Sequence, residues 1–233
     1  MAPRVLLLDN TLHPRLFILA KRWARQLPGV AVDVVHAPTA PALPDVGGYS
    51  HLILTGSEAS ILAPAAWMER EADAVRAAAA GGVRVLGSCF GHQMLVSSLA
   101  GPRFLRRAAH PEIGWTSVEI LGDDELTRGL PNPWTVFSFH LHEVVAPLPA
   151  PWRILARTRD CAVEMVRWGD APVWGIQAHP EISRRTAEFA TRAVFLAVGH
   201  RGGMPRAALR RPSDGQAFAG LVDRFLAGGT RNG

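Results

Sequence analysis

Short apolar runs alternate with helical periods through the first hundred residues, and this alternation constrains the fold more than any other feature. Residues 5–8 read as a buried-type strand, and 30–35, 51–55 and 83–87 as further strands. Between them, 15–27 carries helical spacing at Leu16, Leu19, Ala20, Trp23 and Leu27, and 65–80 is a strong helix stopped by Gly81-Gly82. A helix running 91–99 leaves the last strand. Helical crossovers return the chain to the same sheet edge, so the strands they join lie parallel and are covered on both faces. The expected fold class is α/β: a single-domain, doubly wound, mostly parallel sheet with helices on both faces.

From Trp115 the pattern changes. Residues 118–120, 135–139, 154–156, 162–166 and 173–177 read as short strands, giving antiparallel additions and the last sheet strands. The Pro-rich stretch 38–44 is a loop, and 184–198 reads as a closing helix. We assign 1–200 to one domain and 201–233 to a C-terminal extension with a short amphipathic helix around 218–226.

At 233 residues and 48% apolar content the chain can bury a large core. No apolar run approaches the roughly 20 residues that span a bilayer, so no membrane association is expected. Two cysteines, Cys89 and Cys161, are too few for a disulfide framework and suggest a reducing, cytoplasmic setting. The charge of +5 is nearly all arginine, Lys21 being the single lysine, and it is scattered. Nucleic-acid binding would need clustering with interleaved aromatics, so none is expected.

The chemistry concentrates at two places. In Gly87-Ser88-Cys89-Phe90-Gly91-His92-Gln93 a cysteine sits on a small-residue turn between strand and helix. Such a turn exposes the sulfur, and a helix N-terminus favours thiolate. Gly87 and Gly91 flank it where side chains would collide with the neighbouring strand. Downstream, His179-Pro180-Glu181 offers an imidazole as general base and acid and a carboxylate to orient it. A tetrahedral intermediate also needs amide donors. Phe90, just after the nucleophile, supplies one, and the strand-end turn Thr55-Gly56-Ser57 is the candidate for the other. Cys161 has no such surroundings and reads as structural.

Together these residues resemble the class I (triad) glutamine amidotransferase family, whose marks are a G-x-C-x-G-x-Q elbow and a downstream H-P-E. The resemblance runs from about residue 5 to 198 and includes Leu54-Thr55-Gly56-Ser57, Glu112-Ile113-Gly114-Trp115 and 138–144. The Glu-Ile-Gly-Trp and Phe-His-Leu-His segments lean toward the branch similar to the amidotransferase domain of GMP synthase and to stand-alone γ-glutamyl peptidases. The resemblance implies a flavodoxin-like sheet and attack by Cys89 on the side-chain amide of glutamine, giving a thioester, ammonia and glutamate. It implies that Gln93 holds the amino-acid end of the substrate, with backbone near Ser138 and Phe139 completing the pocket. His140 and His142 sit near the site but alternate along a strand, so lining the pocket is one alternative for them and not the favoured one. His92, beside Gln93, reads as facing the helix interior with no catalytic role. No metal and no cofactor are expected.

One departure stands out: relatives often carry Gly-Gly-Pro where this chain has Gly56-Ser57-Glu58, so Glu58 could bias substrate choice. The sequence also carries no Gly-rich phosphate loop. Three functions follow: an amidotransferase passing ammonia to a separate synthase, a self-sufficient hydrolase of γ-glutamyl conjugates, or a silent binding protein on the same fold. The intact Cys89, His179 and Glu181 argue against the last.

Overall fold

The computed structural model describes residues 2–184, 186–187 and 215–228. In chain order the main elements are β1 (Arg4–Asp9), α1 (Leu19–Ala24), β2 (Ala31–His36), β3 (His51–Leu54), α2 (Ala66–Ala80), β4 (Arg84–Ser88) and α3 (Phe90–Ala100). These are followed by β5 (Leu105–Ile120), β6 (Trp134–Val144), β7 (Trp152–Arg157), β8 (Met165–Trp168), β9 (Val173–Ile176) and α4 (Gly215–Ala227). The strands form one sheet in the order β2-β1-β3-β4-β9-β8-β7-β5-β6. β2, β1, β3, β4 and β9 run parallel, and the remaining pairings are antiparallel. This is the expected α/β sheet with antiparallel additions.

Side-chain alternation along the central strands builds two cores. Leu6, Leu8, Leu52, Leu54 and Val85 face α2 and α3, packing on Val75, Phe90 and Leu95. Val5, Leu7, Ile53 and Leu86 face the other way, toward Trp23 of α1 and Leu221, Val222 and Phe225 of α4. β1, β3 and β4 read as continuous apolar runs because both their faces are covered. The amphipathic piece expected around 218–226 is thus a helix seated on the sheet. The Phe225 ring meets His51 edge-on at 5.0 Å and Trp174 at 6.5 Å. No helix among the described residues is long and apolar enough to cross a membrane.

Three elements differ from the sequence expectation. The helix expected at 15–27 is regular only over Leu19–Ala24. The His13 carbonyl accepts the N–H groups of Leu16 and Phe17, forming a turn, and Leu16 is 77% exposed rather than part of the buried stripe. β5 runs sixteen residues from Leu105, with a bulge between Arg107 and Glu112, where only 118–120 reads as strand. The strand expected at 162–166 begins at Met165, because 158–161 forms a turn closed by Thr158 N–H on the Cys161 carbonyl at 2.8 Å. The closing helix expected at 184–198 lies almost wholly outside the described residues.

Candidate active site

β3, β4 and β9 are adjacent and parallel, so the loops leaving their C-terminal ends meet at one point of the sheet edge. Those loops carry Gly56, Cys89 and His179.

Cys89 ends β4 and opens α3 with φ 51° and ψ −104°, the one positive φ among the described non-glycine residues. Such a conformation costs on the order of 1–3 kcal/mol and persists only when its surroundings impose it. The Cys89 N–H donates to the Ile176 carbonyl at 2.8 Å, and its own carbonyl accepts from the Gln93 N–H at 3.1 Å. The glycines on either side allow the close approach, by two routes. A Cβ on Gly91 would strike the Leu54 carbonyl of β3, as the sequence suggests. A Cβ on Gly87 would instead sit 2.5 Å from the Gly91 carbonyl carbon, so its collision is with the helix and not with a strand.

His179 is placed by its backbone N–H, which donates to the Phe137 carbonyl at 2.7 Å. Its Nδ1 is 2.8 Å from Glu181 Oε1, and the ring also hydrogen-bonds the Cys89 sulfur. Burial pulls the imidazole pKa down, but Cys89 and the Glu181 carboxylate beside it outweigh that and hold it well above the ordinary histidine value. Glu181 is buried, and the Ser88 hydroxyl lies 3.4 Å from its Oε2 and 3.2 Å from the Ala178 carbonyl. Ser88 is a site residue the sequence reading passes over, since a serine between glycine and cysteine carries no signal of its own.

Gly56 sits against the same ring. A Cβ there would be 2.6 Å from His179 Cε1 and 3.5 Å from Cys89 Cβ. Among the described residues no hydrogen bond takes up the N–H of Ser57 or of Phe90. The Ser57 hydroxyl accepts from the Ala59 N–H at 2.9 Å. Glu58 has a structural contact that its sequence position does not suggest. Its two oxygens accept the N–H groups of Leu12 and His13 at 3.0 and 3.1 Å, tying the loop after β3 to the loop after β1. Below it, Asn10 donates to the Thr55 carbonyl at 3.2 Å and to Glu71 Oε1 at 2.8 Å. Burial pushes the Glu71 carboxyl up to about 8, against the smaller pull of Asn10.

Gln93 is buried and its Nε2 donates to the His142 carbonyl at 2.8 Å and to Gln177 Oε1 at 3.1 Å. It braces β6 from below, leaving only Oε1 for another partner. The Ser138 side chain faces away, its hydroxyl 2.7 Å from that of Thr116. The Phe139 carbonyl faces Cys89 Sγ at 3.7 Å. His142 reaches the loop after β3, with Nε2 3.3 Å from the Ser60 hydroxyl. His140 points instead into a buried cluster with Glu112. His92 is packed behind Gly175, outside the reacting group, and burial pushes its pKa down to about 3. Cys161 is fully buried, and burial drives its thiol pKa up.

A cysteine, a histidine and a glutamate meeting at the C-terminal edge of such a sheet mark the chain as a triad-type amidotransferase domain. The family model for glutamine amidotransferase class-I matches residues 23–196, and the chain belongs to that family. A glutamine-hydrolyzing GMP synthase subunit of Pyrococcus abyssi is 35% identical over 101 residues, 43% of this chain and 52% of that one. The glutamine-hydrolyzing GMP synthase of Aeropyrum pernix is 36% identical over 169 residues, 70% of this chain and 30% of that one. The chain thus spans about half the length of the first relative and less of the second. In fold it is similar to a glutamine amidotransferase from Thermotoga maritima, with TM-score 0.73, 18% identity and 97% of each chain covered.

Proposed function

We propose that this chain hydrolyses the γ-amide of glutamine through a thioester at Cys89 and passes the ammonia to a separate synthase. The observation that carries the reading is the pairing of a strained, elbow-mounted Cys89 with His179, whose other nitrogen is held by Glu181. The thiolate adds to the amide carbon, and the oxygen takes the negative charge toward the unengaged N–H groups of Phe90 and Ser57. Protonated His179 gives its proton to the nitrogen, the C–N bond breaks and ammonia leaves. Neutral His179 then takes a proton from water, the hydroxide attacks the thioester, and the sulfur leaves as glutamate forms. Glu181 stabilises the imidazolium at both stages. In this reading Gln93 Oε1 and the backbone near Phe139 would receive the substrate's amino-acid end.

Transfer to a partner is supported by the rim of the site. Leu12, Leu16, Phe17, Leu62 and Leu141 are exposed on the loops and strand that Glu58 and His142 join. Exposed apolar side chains on adjoining loops suit a docking surface, and the names of the relatives make a GMP-forming synthase the first partner to try. The test is glutamate release from glutamine and from γ-glutamyl-p-nitroanilide, with Cys89→Ala as control. Weak, Cys89-dependent glutamine turnover that rises on adding a synthase supports the proposal. Fast anilide turnover by the chain alone would replace it with a self-sufficient γ-glutamyl hydrolase.

A further inference from the structure

Four side chains away from Cys89 converge in the interior where β5 and β6 meet the 158–165 segment: Glu112, His140, Cys161 and Glu164. All are buried, and their ligand-type atoms lie within 4.8 Å of one another. His140 Nε2 is 3.0 Å from Glu112 Oε2 and 3.8 Å from Glu164 Oε1. Both side-chain oxygens of Glu164 are buried and receive no hydrogen bond of ordinary length from a described donor. The Glu112 carboxyl and the Cys161 thiol face them. The Thr158 hydroxyl donates to the other Glu112 oxygen at 2.7 Å.

The hydrogen-bond partners of His140 set how its ring faces the cluster. Its Nδ1 is 3.1 Å from the His142 carbonyl, which can only accept, so Nδ1 carries the hydrogen. Nε2 faces a Glu112 oxygen, beside a second carboxyl and a thiol. Among the described residues no lysine or arginine pairs with Glu112 or Glu164. Carboxyl oxygens buried without a hydrogen-bond partner, as those of Glu164 are, carry a cost that a cation between them would offset.

We propose that Glu112, His140, Cys161 and Glu164 form a buried four-ligand site for a divalent transition metal, zinc above all, that ties the β5–β6 hairpin to the start of β8. One nitrogen, one sulfur and two carboxylate oxygens make a set zinc accepts in tetrahedral sites. An imidazole whose other N–H is held by a backbone carbonyl is already oriented as a ligand. Ligand atoms around tetrahedral zinc are about 3.3–3.8 Å apart for the usual bond lengths, so the widest pair closes by about 1 Å on loading. A cavity of about 620 Å³ lined by Arg106, Glu143, Thr158 and Asp160 reaches Thr158, whose hydroxyl donates to Glu112. The role is structural: the strand it would fix also supplies the His142 carbonyl to Gln93 and the Phe139 carbonyl to Cys89. The sequence gives no hint of it, because the ligands sit on separate segments with no recognisable spacing.

The rival is a proton shared by the two carboxyls, and Glu164→Gln separates the two. The full chain, purified from zinc-containing medium, is assayed for bound metal, for loss of Tm with a chelator, and for a thiolate-to-cobalt absorption band after exchange with Co²⁺. The expected result is one zinc per chain, a lower Tm on chelation and a cobalt–thiolate band that Cys161→Ser abolishes. Glu164→Gln should lose more zinc affinity than the roughly 10–100-fold that follows removal of an outer-shell partner, and its Tm should not respond to chelator. A wild type that is metal-free and takes up neither ion on refolding overturns the proposal, as does zinc held equally well by both variants. Glu164→Gln at or above the wild-type Tm, with no metal in either, is the shared-proton result. If Glu164→Gln does not fold, the metal count and Cys161→Ser still decide.

Discussion

Adding one methyl at Gly56 places a carbon 2.6 Å from His179 Cε1, closer than unbonded carbons come. The ring has little room to yield, since its Nδ1 is held by Glu181 and its backbone by Phe137. Gly56→Ala should therefore cut kcat/KM for glutamine by about 100-fold, as a misplacement near 1 Å does, with a smaller change in Tm. Glu181→Gln keeps the shape but removes the charge that helps raise the His179 pKa. Its expected cost is roughly 10³–10⁴-fold in kcat, and the imidazole resonance should titrate at lower pH by NMR than in the wild type. Retention of the wild-type titration would mean that Glu181 does not act on the ring.

Elements are held in register by polar groups that carry no motif. Glu58 joins the loop after β3 to the loop after β1 through two N–H groups. Glu58→Ala frees the Ser57 amide to reorient, and steady-state kinetics should show kcat falling by up to the roughly 100-fold that loss of one oxyanion donor costs, with KM little changed. Glu71 of α2 meets Asn10 at the end of β1. Its folded pKa of about 8 lies above the unfolded carboxyl value, so its contribution is present below about pH 4.5 and lost as pH rises toward 8. Glu71→Gln should match the wild type near pH 5 and melt several degrees higher at pH 8. The short regular helix at Leu19–Ala24 and the sixteen-residue β5 were illegible for related reasons. Apolar spacing at Leu16 belongs to an exposed turn, and the exposed polar residues of β5 break any apolar run.

For the whole molecule the decisive packing is α4 on the sheet, far from it in sequence. Phe225 is fully buried, stacks edge-on with His51, and its carbonyl accepts from Arg84 Nε at 2.7 Å and His51 Nε2 at 3.1 Å. Phe225→Ala should destabilise by about 3–5 kcal/mol, a fall of roughly 6–20 °C in Tm for a chain of this size. His51 lies beneath the helix with a pKa pushed down to about 4 by burial, backed by the Arg84 charge. Its folded value is depressed, so the unfolded chain takes up protons first, and stability should fall from about pH 6.5 to 4. His51→Gln should flatten that acid limb in a thermal melt series.

The local sequence settled what local physics governs. Apolar runs marked the central strands, and Gly87 to Gln93 and His179 to Glu181 marked the candidate nucleophile and its candidate partners, because turn geometry and short-range chemistry are written in neighbouring residues. Only the tertiary structure decided which acceptors meet which donors across the sheet. Ser88 behind Glu181, Glu58 across to Leu12 and His13, Asn10 with Glu71, and the four converging groups around His140 each join residues on different elements. A pairing of that kind depends on strand order and register, which side-chain periodicity along one element does not encode.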